Sequence, residues 1–236
     1  MTLRDSRRDD DPPLTLALPR GRPWVALAPL LRRAGVPGVA EADPERQLVA
    51  DAGAMRLIFT RPADIVTYVR EGVADLGVTG KDVLLEDGVG VAELLDLPLG
   101  GWRMAVAVRA GDGPWPALLA ERGNALRVAT SYPLTTAAFF ARRGLEPQVI
   151  RLRGAVELAA VVGLADCIVD MVETGRTLAA HGLVEVELVE RISLRLIANP
   201  ASHRFRARAI DALLQGLTAT LRAGPGGGGG ATADPA

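Results

Sequence analysis

The chain has 236 residues, a formal net charge of −1 and 49% hydrophobic residues. This length fits one large or two small domains, and the hydrophobic content is sufficient for a sizeable core. The near-zero charge gives no electrostatic basis for binding nucleic acid or an anionic membrane surface. One cysteine excludes an intramolecular disulfide, and two histidines argue against a histidine-based triad or a multi-histidine metal site.

The ends of the chain differ in composition from its centre. Residues 1–13 are charged and lack the apolar segment of a signal peptide, and residues 223–236 are rich in glycine. We predict that both ends are disordered. No stretch reaches the roughly 18 apolar residues of a membrane span, so we expect a cytoplasmic protein with no membrane contact.

In the first half, apolar strand patterns alternate with helical ones. The pattern predicts strands at 14–18, 55–60 and 74–78, and helices at 24–34, 63–71 and from Lys81 onward. This alternation is typical of an α/β fold with a largely parallel sheet.

The alternation starts again after an apolar strand at 104–108. We predict further strands at 127–130, 149–152 and 167–172, with helices at 135–143 and 156–163 and a helix from Leu178. A long extended segment follows at 184–197. The last helix is marked by one apolar face, formed by Ile210, Leu213, Leu214, Leu217 and Leu221.

Two such sets joined by long extended crossings indicate two α/β domains. We place domain I at 14–103 together with 194–222, and domain II at 104–193. Ligands of open α/β sheets bind beyond the carboxyl ends of the strands. We therefore expect the functional site in the cleft between the domains.

The segment 170–178 carries the strongest functional pattern. It follows an apolar strand and precedes a helix, which is the layout of a phosphate-binding loop. Gly175 allows close approach of the backbone, and the hydroxyls of Thr174 and Thr177 can donate to phosphate oxygens. Asp170 and Glu173 suit sugar hydroxyls or magnesium instead, so the loop favours a ribose phosphate. A plain strand–turn–helix connection, with Thr174 as the N-cap, explains the same residues.

Arginines follow two other predicted strands and one helix. Arg20, Gly21 and Arg22 come directly after the first strand, and guanidinium groups match phosphate oxygens in two-point contacts. A solvated turn explains this motif as well. Arg46 lies in a loop, where its surroundings favour a surface arginine. Arg61 ends a strand and precedes a helix that Asp64 can cap, and this structural interpretation is favoured over a ligand contact.

Two further residues, Tyr132 and Glu157, admit both a functional and a structural interpretation, and one further segment, 77–82, only superficially matches a known motif. Tyr132 follows a strand and suits either a base contact or packing in the core. Glu157 lies in the first turn of a helix, where a carboxylate is favourable whether or not it binds a ligand. The segment 77–82 resembles a P-loop, but its glycine spacing is wrong for one.

A set of ordered segments between about residues 14 and 222 resembles one known family, the ATP phosphoribosyltransferases, which catalyse the first step of histidine biosynthesis. No single motif carries this resemblance; the order and spacing of the set do. The segments are LALPRGR (16–22), RPADI (61–65), YVREGVADLGVTGKDVL (68–84), ELLDL (93–97), RVATSYP (127–133), GAVELA (154–159), GLAD (163–166), DMVETGRTL (170–178) and SLRLIAN (193–199).

The resemblance implies a fold and a reaction. The fold is two α/β domains of periplasmic-binding-protein-like (type II) architecture. In the reaction, adenine N1 of ATP attacks the anomeric carbon of 5-phosphoribosyl 1-pyrophosphate, giving N1-(5-phosphoribosyl)-ATP and pyrophosphate. Such a pentosyltransferase needs no protein nucleophile, because positioning and neutralisation of the leaving group are the main tasks.

The resemblance also assigns roles to residues. It implies catalytic roles for Arg22 and Arg46. It implies that phosphoribosyl pyrophosphate is bound by a set of loop and carboxylate residues, namely Glu157, Asp170, Glu173, Thr174, Gly175, Arg176 and Thr177. It implies contacts to ATP and pyrophosphate from Arg20, Gly21, Arg61 and Tyr132.

The same resemblance predicts a cofactor and partners. Mg²⁺ is expected to arrive on the substrate, with no protein ligand of its own. The chain resembles the short form of the family, which forms a catalytic dimer. That form works in a hetero-octamer with a regulatory subunit resembling histidyl-tRNA synthetase. Three positions depart from the family pattern, since Arg20 replaces a common lysine, Val66 a usual proline and Leu134 a frequent asparagine.

Overall fold

The computed structural model describes residues 12–224, which divide into two compact units. One unit is formed by residues up to Gly77 together with those from Ile197 onward, and the other by Val78–Leu196. The predicted domains, 14–103 with 194–222 and 104–193, stay a prediction beside these bounds. The segments predicted to be disordered, 1–13 and 223–236, lie outside the described residues except for 12, 13, 223 and 224.

The described residues form nine strands, nine α-helices and one short 3-10 helix at Gly123–Ala125. The strands are β1 (Leu14–Pro19), β2 (Val49–Ala52), β3 (Met55–Thr60), β4 (Leu76–Gly80), β5 (Ala92–Arg109), β6 (Arg127–Thr130), β7 (Gln148–Arg151), β8 (Cys167–Val172) and β9 (Leu183–Ala198). The helices are α1 (Arg22–Arg33), α2 (Pro62–Arg70), α3 (Lys81–Asp87), α4 (Trp115–Arg122), α5 (Pro133–Ala141), α6 (Val156–Val161), α7 (Arg176–Ala180), α8 (Pro200–Phe205) and α9 (Ala207–Arg222).

In the first unit, β1 lies between β3 and β4 and runs parallel to both. Strand β2 pairs with the other side of β3 and is antiparallel to it. The apolar side chains of β1 and α1 are buried, and Trp24 meets Phe59 edge to face with ring centroids 5.3 Å apart. This packing fixes α1 directly after the carboxyl end of β1.

In the second unit the strand order is β9-β5-β8-β6-β7. Strands β6, β7 and β8 are parallel, whereas β5 is antiparallel to β8. Alternate residues of these strands enter two separate apolar clusters, as the two-residue period of a strand requires. Val128 and Val169 join the cluster that contains Phe139 and Phe140, while Ala129 and Ile168 join the cluster that contains the buried residues of α6. Helices therefore cover both faces.

The only cysteine, Cys167, is a free thiol buried in the first of these clusters, as expected for a small apolar side chain. Burial raises the pKa of its thiol well above the ordinary value. Across residues 12–224, no helix combines the length and apolar character needed to span a bilayer.

Candidate active site

The parallel strands of the second unit bring several predicted site residues to one edge of the sheet. Thr130, the last residue of β6, pairs with Arg151 at the end of β7 and with Val169 near the end of β8. Because these strands run in the same direction, the loops that follow them leave the sheet at the same edge. The residues on these loops and the helix starts behind them are Tyr132, Glu157, Glu173, Thr174, Gly175, Arg176 and Thr177.

The loop between β8 and α7 exposes backbone N–H groups. Gly175 is the N-cap of α7 with a left-handed φ of 75°, so the interpretation of Thr174 as N-cap is wrong by one residue. The Thr174 hydroxyl accepts a long hydrogen bond of 3.4 Å from the Arg176 N–H. The N–H groups of Thr174, Gly175 and Thr177 find no acceptor among residues 12–224. A Cβ at Gly175 would meet no protein atom within 4 Å, so the loop is open at this glycine.

Carboxylates lie beside this loop in a partly buried setting. Burial raises the pKa of Asp170 above its usual value, and the nearby charge of Glu157 raises it further. The Met171 N–H donates to Asp170 Oδ1 at 2.8 Å and partly offsets this effect. Burial also raises the pKa of Asp82, at the start of α3. The structure thus places Asp170 and Glu157 in one neighbourhood, as a ribose-binding role requires.

Tyr132 belongs to the same neighbourhood. Its ring packs against the apolar cluster around Phe139, which agrees with the packing interpretation. Burial raises the pKa of its hydroxyl well above the ordinary value, and the charges of Asp82, Asp170 and Glu86 raise it further. The tyrosine is therefore a neutral hydrogen-bonding group beside the carboxylates. Its contact with adenine stays a prediction.

Sequence reasoning missed Glu86, which fixes the start of α5 next to Tyr132. Its carboxylate accepts hydrogen bonds from the N–H groups of Leu134 at 3.1 Å and Thr135 at 2.7 Å, and from the Thr135 hydroxyl at 2.7 Å. The available signal was the spacing of Asp82 and Glu86, four residues apart and so on one face of α3. The partners of Glu86 lie 48 and 49 positions away, beyond the reach of local patterns.

In the first unit, the carboxyl edge of the sheet carries arginines. Pro19 of β1 pairs with Thr60 of β3, and the Arg20 N–H donates to the Thr60 carbonyl at 3.0 Å. The segments that follow these strands, with Arg22 and Arg61, therefore leave the sheet side by side. Gly21, the N-cap of α1, has a φ of 70°, and a Cβ there would meet no protein atom within 4 Å.

A third segment joins this edge through Arg20. Arg20 Nη2 donates to the Gln47 carbonyl at 3.2 Å, next to Arg46. Arg20 Nε is buried and has no acceptor among residues 12–224. The Arg46 side chain is 87% exposed and lies 3.7 Å from an Asp43 carboxylate oxygen, too far for a strong pair. Arg20, Arg22, Arg46 and Arg61 thus share one cationic edge. The predicted cleft between the domains stays a prediction.

Within the described residues, no group of three or more histidine, cysteine, aspartate or glutamate side chains is arranged to hold a metal ion.

The chain is similar to known proteins along nearly its whole length. The family model of ATP phosphoribosyltransferase matches residues 61–219. An ATP phosphoribosyltransferase of Geobacillus kaustophilus is 45% identical over 210 residues, which are 88% of this chain and 98% of that protein. One of Symbiobacterium thermophilum is 48% identical over 209 residues, 87% of this chain and 93% of that protein. One of Bacillus subtilis is 41% identical over 207 residues, which are 87% of this chain and 94% of that protein.

A solved structure agrees with these sequence matches. The ATP phosphoribosyl transferase (HisG:HisZ) complex from Thermotoga maritima contains a chain that is 31% identical. The match has a TM-score of 0.72 and covers 89% of this chain and 98% of that one. The fold is accordingly the mixed α/β, type II periplasmic-binding-protein-like architecture expected from the sequence.

These findings define a glycosyltransferase of the α/β class. The chain belongs to the ATP phosphoribosyltransferase family. It catalyses the first step of histidine biosynthesis, the condensation of ATP with 5-phosphoribosyl 1-pyrophosphate to N1-(5-phosphoribosyl)-ATP and pyrophosphate.

Proposed function

We propose that the carboxyl edge of the second unit binds phosphoribosyl pyrophosphate through its 5-phosphate and ribose. The observation that carries this proposal is the set of N–H groups of Thr174, Gly175 and Thr177 that have no acceptor among residues 12–224. They lie around a left-handed glycine whose Cβ position is open. A phosphate needs several such donors at once, and hydroxyl groups of threonine add to them. Arg176 and Glu173 complete the loop.

The carboxylates of Asp170 and Glu157 suit the ribose hydroxyls. A carboxylate accepts hydrogen bonds and repels phosphate, so these two side chains would orient the sugar relative to the bound phosphate. Their partly buried position strengthens such bonds, because water competes less. This division of tasks fits a ligand with an anionic end and a neutral, hydroxyl-rich centre.

The arginine edge of the first unit is proposed to bind the phosphates of ATP and of the leaving pyrophosphate. Arg20, Arg22, Arg46 and Arg61 are the cations, and Gly21 lets the backbone approach. The described groups around Arg46 supply only a long ion pair, which leaves much of its charge for a ligand. Arg22 and Arg46 would neutralise charge that grows on pyrophosphate as its bond to C1 breaks.

The chemistry explains why the site holds no catalytic triad. The lone pair of adenine N1 forms the new bond to C1 while the C1–oxygen bond to pyrophosphate breaks, and pyrophosphate leaves with that electron pair. Positive charge develops on the ribose, and negative charge develops on the leaving group. The chain's groups need only to align the two substrates and stabilise these charges. Tyr132 is proposed to contact the base.

Magnesium is proposed to enter as part of the substrate. Two negatively charged substrates must approach each other, and a cation on the pyrophosphate reduces their repulsion. Phosphate oxygens are ligands that Mg²⁺ prefers, so the pyrophosphate can hold the metal ion itself.

We also propose that the chain works with a second protein. The solved relative from Thermotoga maritima is a HisG:HisZ complex, and its catalytic chain is matched over 98% of its length. By this relation, a regulatory subunit resembling histidyl-tRNA synthetase would join a catalytic dimer of this chain in a cytoplasmic hetero-octamer.

The first test compares Thr177→Ala with Thr67→Ala, an exposed helical threonine of α2. Formation of phosphoribosyl-ATP from ATP and phosphoribosyl pyrophosphate with Mg²⁺ is followed by ultraviolet absorbance. Pyrophosphatase is added to hydrolyse the pyrophosphate that is released. We expect Thr177→Ala to lower kcat/KM for phosphoribosyl pyrophosphate by about 10- to 100-fold, since a hydrogen bond to a charged group is lost. Thr67→Ala should behave as the wild type.

Equal activity of both variants and the wild type would contradict the proposed phosphate site. The partner is tested by adding a purified HisZ-type subunit and measuring the mass of the assembly. The proposed partner would be supported if the chain binds both substrates in a thermal-shift assay but forms product only when that subunit is added. Full activity alone and no association would contradict it.

A further inference from the structure

Arg103 contacts the phosphate loop from the neighbouring strand. It lies in β5, where it pairs in register with Val172, the last residue of β8. Its Nη1 atom donates a hydrogen bond of 3.0 Å to the carbonyl oxygen of Glu173, the first residue of the loop. The strand next to the loop thus holds the loop at its first peptide bond.

The direction of this contact determines where the next N–H group points. A trans peptide is planar, and its C=O and N–H point in opposite directions. When Arg103 binds the Glu173 carbonyl, the N–H of Thr174 in the same peptide must face away from Arg103. That N–H has no acceptor among residues 12–224 and is one of the donors assigned to the phosphate. Arg103 therefore fixes the orientation of the Thr174 N–H, the proposed phosphate donor, without contacting the phosphate itself.

Glu185 of β9 holds Arg103 in place. Its carboxylate accepts from Arg103 Nε at 2.8 and 3.0 Å and from Nη2 at 2.6 Å, which is a two-point pairing of a planar guanidinium. Hydrogen bonding to Glu185 raises the pKa of Arg103 above its ordinary value. The pair is about 30% exposed on both side chains and carries no net charge. Its effect on the loop is therefore one of position more than of charge.

The second unit contains another arginine that pairs with a glutamate of β9 and donates to a backbone carbonyl. Arg143 donates from Nε at 3.1 Å and from Nη2 to Glu187, which is two residues along β9 from Glu185 and so on the same side of the strand. Arg143 Nη1 donates to a backbone carbonyl, that of Phe139, at 3.1 Å. These side chains are exposed to a similar degree, 35% and 28%. The carbonyl they hold belongs to α5 and not to the phosphate loop.

The geometry points to Arg103 as a positioning residue for phosphoribosyl pyrophosphate, held by Glu185 and acting on the Glu173–Thr174 peptide. This inference rests on the proposed role of the loop. Loss of Arg103 frees the Glu173–Thr174 peptide to rotate, so the Thr174 N–H is no longer held pointing towards the phosphate. The binding of phosphoribosyl pyrophosphate should weaken, whereas that of ATP should not.

The test compares Arg103→Met with its matched control Arg143→Met. Methionine keeps most of the apolar stem and removes the guanidinium in both variants. We expect Arg103→Met to raise KM for phosphoribosyl pyrophosphate by about 10-fold, with KM for ATP unchanged, because an ordered donor to a charged group is lost. Arg143→Met should leave both KM values as in the wild type. Arg103→Lys should lie between, since lysine can donate to the carbonyl but cannot pair with Glu185 at two points.

An equal rise in KM for both substrates in Arg103→Met, or the same rise in Arg143→Met, would overturn the inference. If Arg103→Met does not fold, Glu185→Gln decides, because glutamine keeps the size of the anchor and weakens the pairing. Its KM for phosphoribosyl pyrophosphate should rise selectively, and no selective rise would overturn the inference. Thr177→Ala separates the two levels: no effect there removes the proposed phosphate site and this inference with it. If Thr177→Ala weakens phosphoribosyl pyrophosphate binding but Arg103→Met does not, only the inference about Arg103 is overturned.

Discussion

In the proposed function, the carboxyl edges of the two units would bind anionic substrates in opposite ways. The second unit uses backbone N–H groups around Gly175, fixed by strand β8 and by Arg103. The first unit uses long arginine side chains such as Arg46, which the protein itself holds only loosely. A backbone site is formed before the ligand arrives, whereas an exposed side chain becomes ordered only on binding and loses rotamer entropy then. The backbone site should therefore set recognition, and the exposed Arg46 should respond to charge that changes during the reaction.

The strongest way to break this comparison is Gly175→Ala. No protein atom would meet the new Cβ within 4 Å, but alanine must keep a φ of 75°, a left-handed conformation that strains it, and relief of this strain would shift the N–H groups of the loop. We expect kcat/KM for phosphoribosyl pyrophosphate to fall by more than about 100-fold, because misplacement of a bound substrate is heavily penalised. Steady-state kinetics with each substrate varied in turn provides the measurement.

Gly144→Ala is the matched control for this change. Gly144 has a φ of 71° in the same unit, and its Cβ would also meet no protein atom within 4 Å. Both variants should lose about 1–2 kcal/mol of the free energy of unfolding, from the left-handed conformation alone. A similar loss of activity in both would mean that the glycine serves only the turn.

Arg46→Ala tests the loosely held edge. With a side chain that is 87% exposed, its removal should change the free energy of unfolding by less than about 0.5 kcal/mol. We expect kcat to fall by about 30-fold, since one charge-assisted contact to the leaving group disappears. The residual rate should depend less on ionic strength than that of the wild type.

Arg56→Ala is a suitable comparison, because Arg56 is an exposed arginine of the same unit that already has a 2.6 Å partner in Asp51. Wild-type kinetics in Arg56→Ala together with the loss in Arg46→Ala would support a specific role. Comparable losses in both variants would reduce the effect to general surface charge.

Glu86→Ala examines how the second unit holds its edge. Three donors at the start of α5 lose their acceptor, and the free energy of unfolding should fall by about 1–2 kcal/mol, as for loss of a helix cap. Chemical denaturation measures this effect. Glu86→Gln retains one carbonyl acceptor and should recover part of it. Equal stability of Glu86→Ala and the wild type would show that water replaces the carboxylate.

The smallest expected effect is a gain in stability from Asp170→Asn. Burial raises the pKa of Asp170 in the folded chain, so the folded state binds the proton more tightly than the unfolded state does. Stability is then lost as pH rises from the unfolded pKa through the folded one, and the wild type bears this loss at pH 7. Asparagine avoids it and still accepts from the Met171 N–H.

We expect Asp170→Asn to raise Tm at pH 7 by about 2 °C, with a smaller difference near pH 4, and to weaken binding of phosphoribosyl pyrophosphate. Calorimetry at the two pH values gives the sign. A lower Tm at pH 7 than in the wild type would show that the carboxylate stabilises the fold.

Local patterns predicted the strands of the central fold closely. Strands β3, β6 and β8 have the bounds expected from their apolar runs, because turn residues such as Pro62 and Gly163 flank these segments. The prediction for β5 covered only 104–108 of Ala92–Arg109, since the strand contains Gly100 and Gly101, and glycines weaken a strand pattern. Strand β2 was missed because it is short and largely exposed. Helices α4 and α8 were also missed, being short and proline-initiated.

The sequence by itself determined the fold class and the family. It also predicted which residues border the substrates, because Gly175, the threonines and the arginines follow strands whose carboxyl ends share an edge, and that assignment stays a prediction. Only the tertiary structure showed what supports these residues. Arg103 and Glu185 are 82 positions apart, and Glu86 and Thr135 are 49 apart. Such pairs leave no local period in the sequence, since their contacts arise from strand order and helix packing, which join distant segments only after the chain has folded.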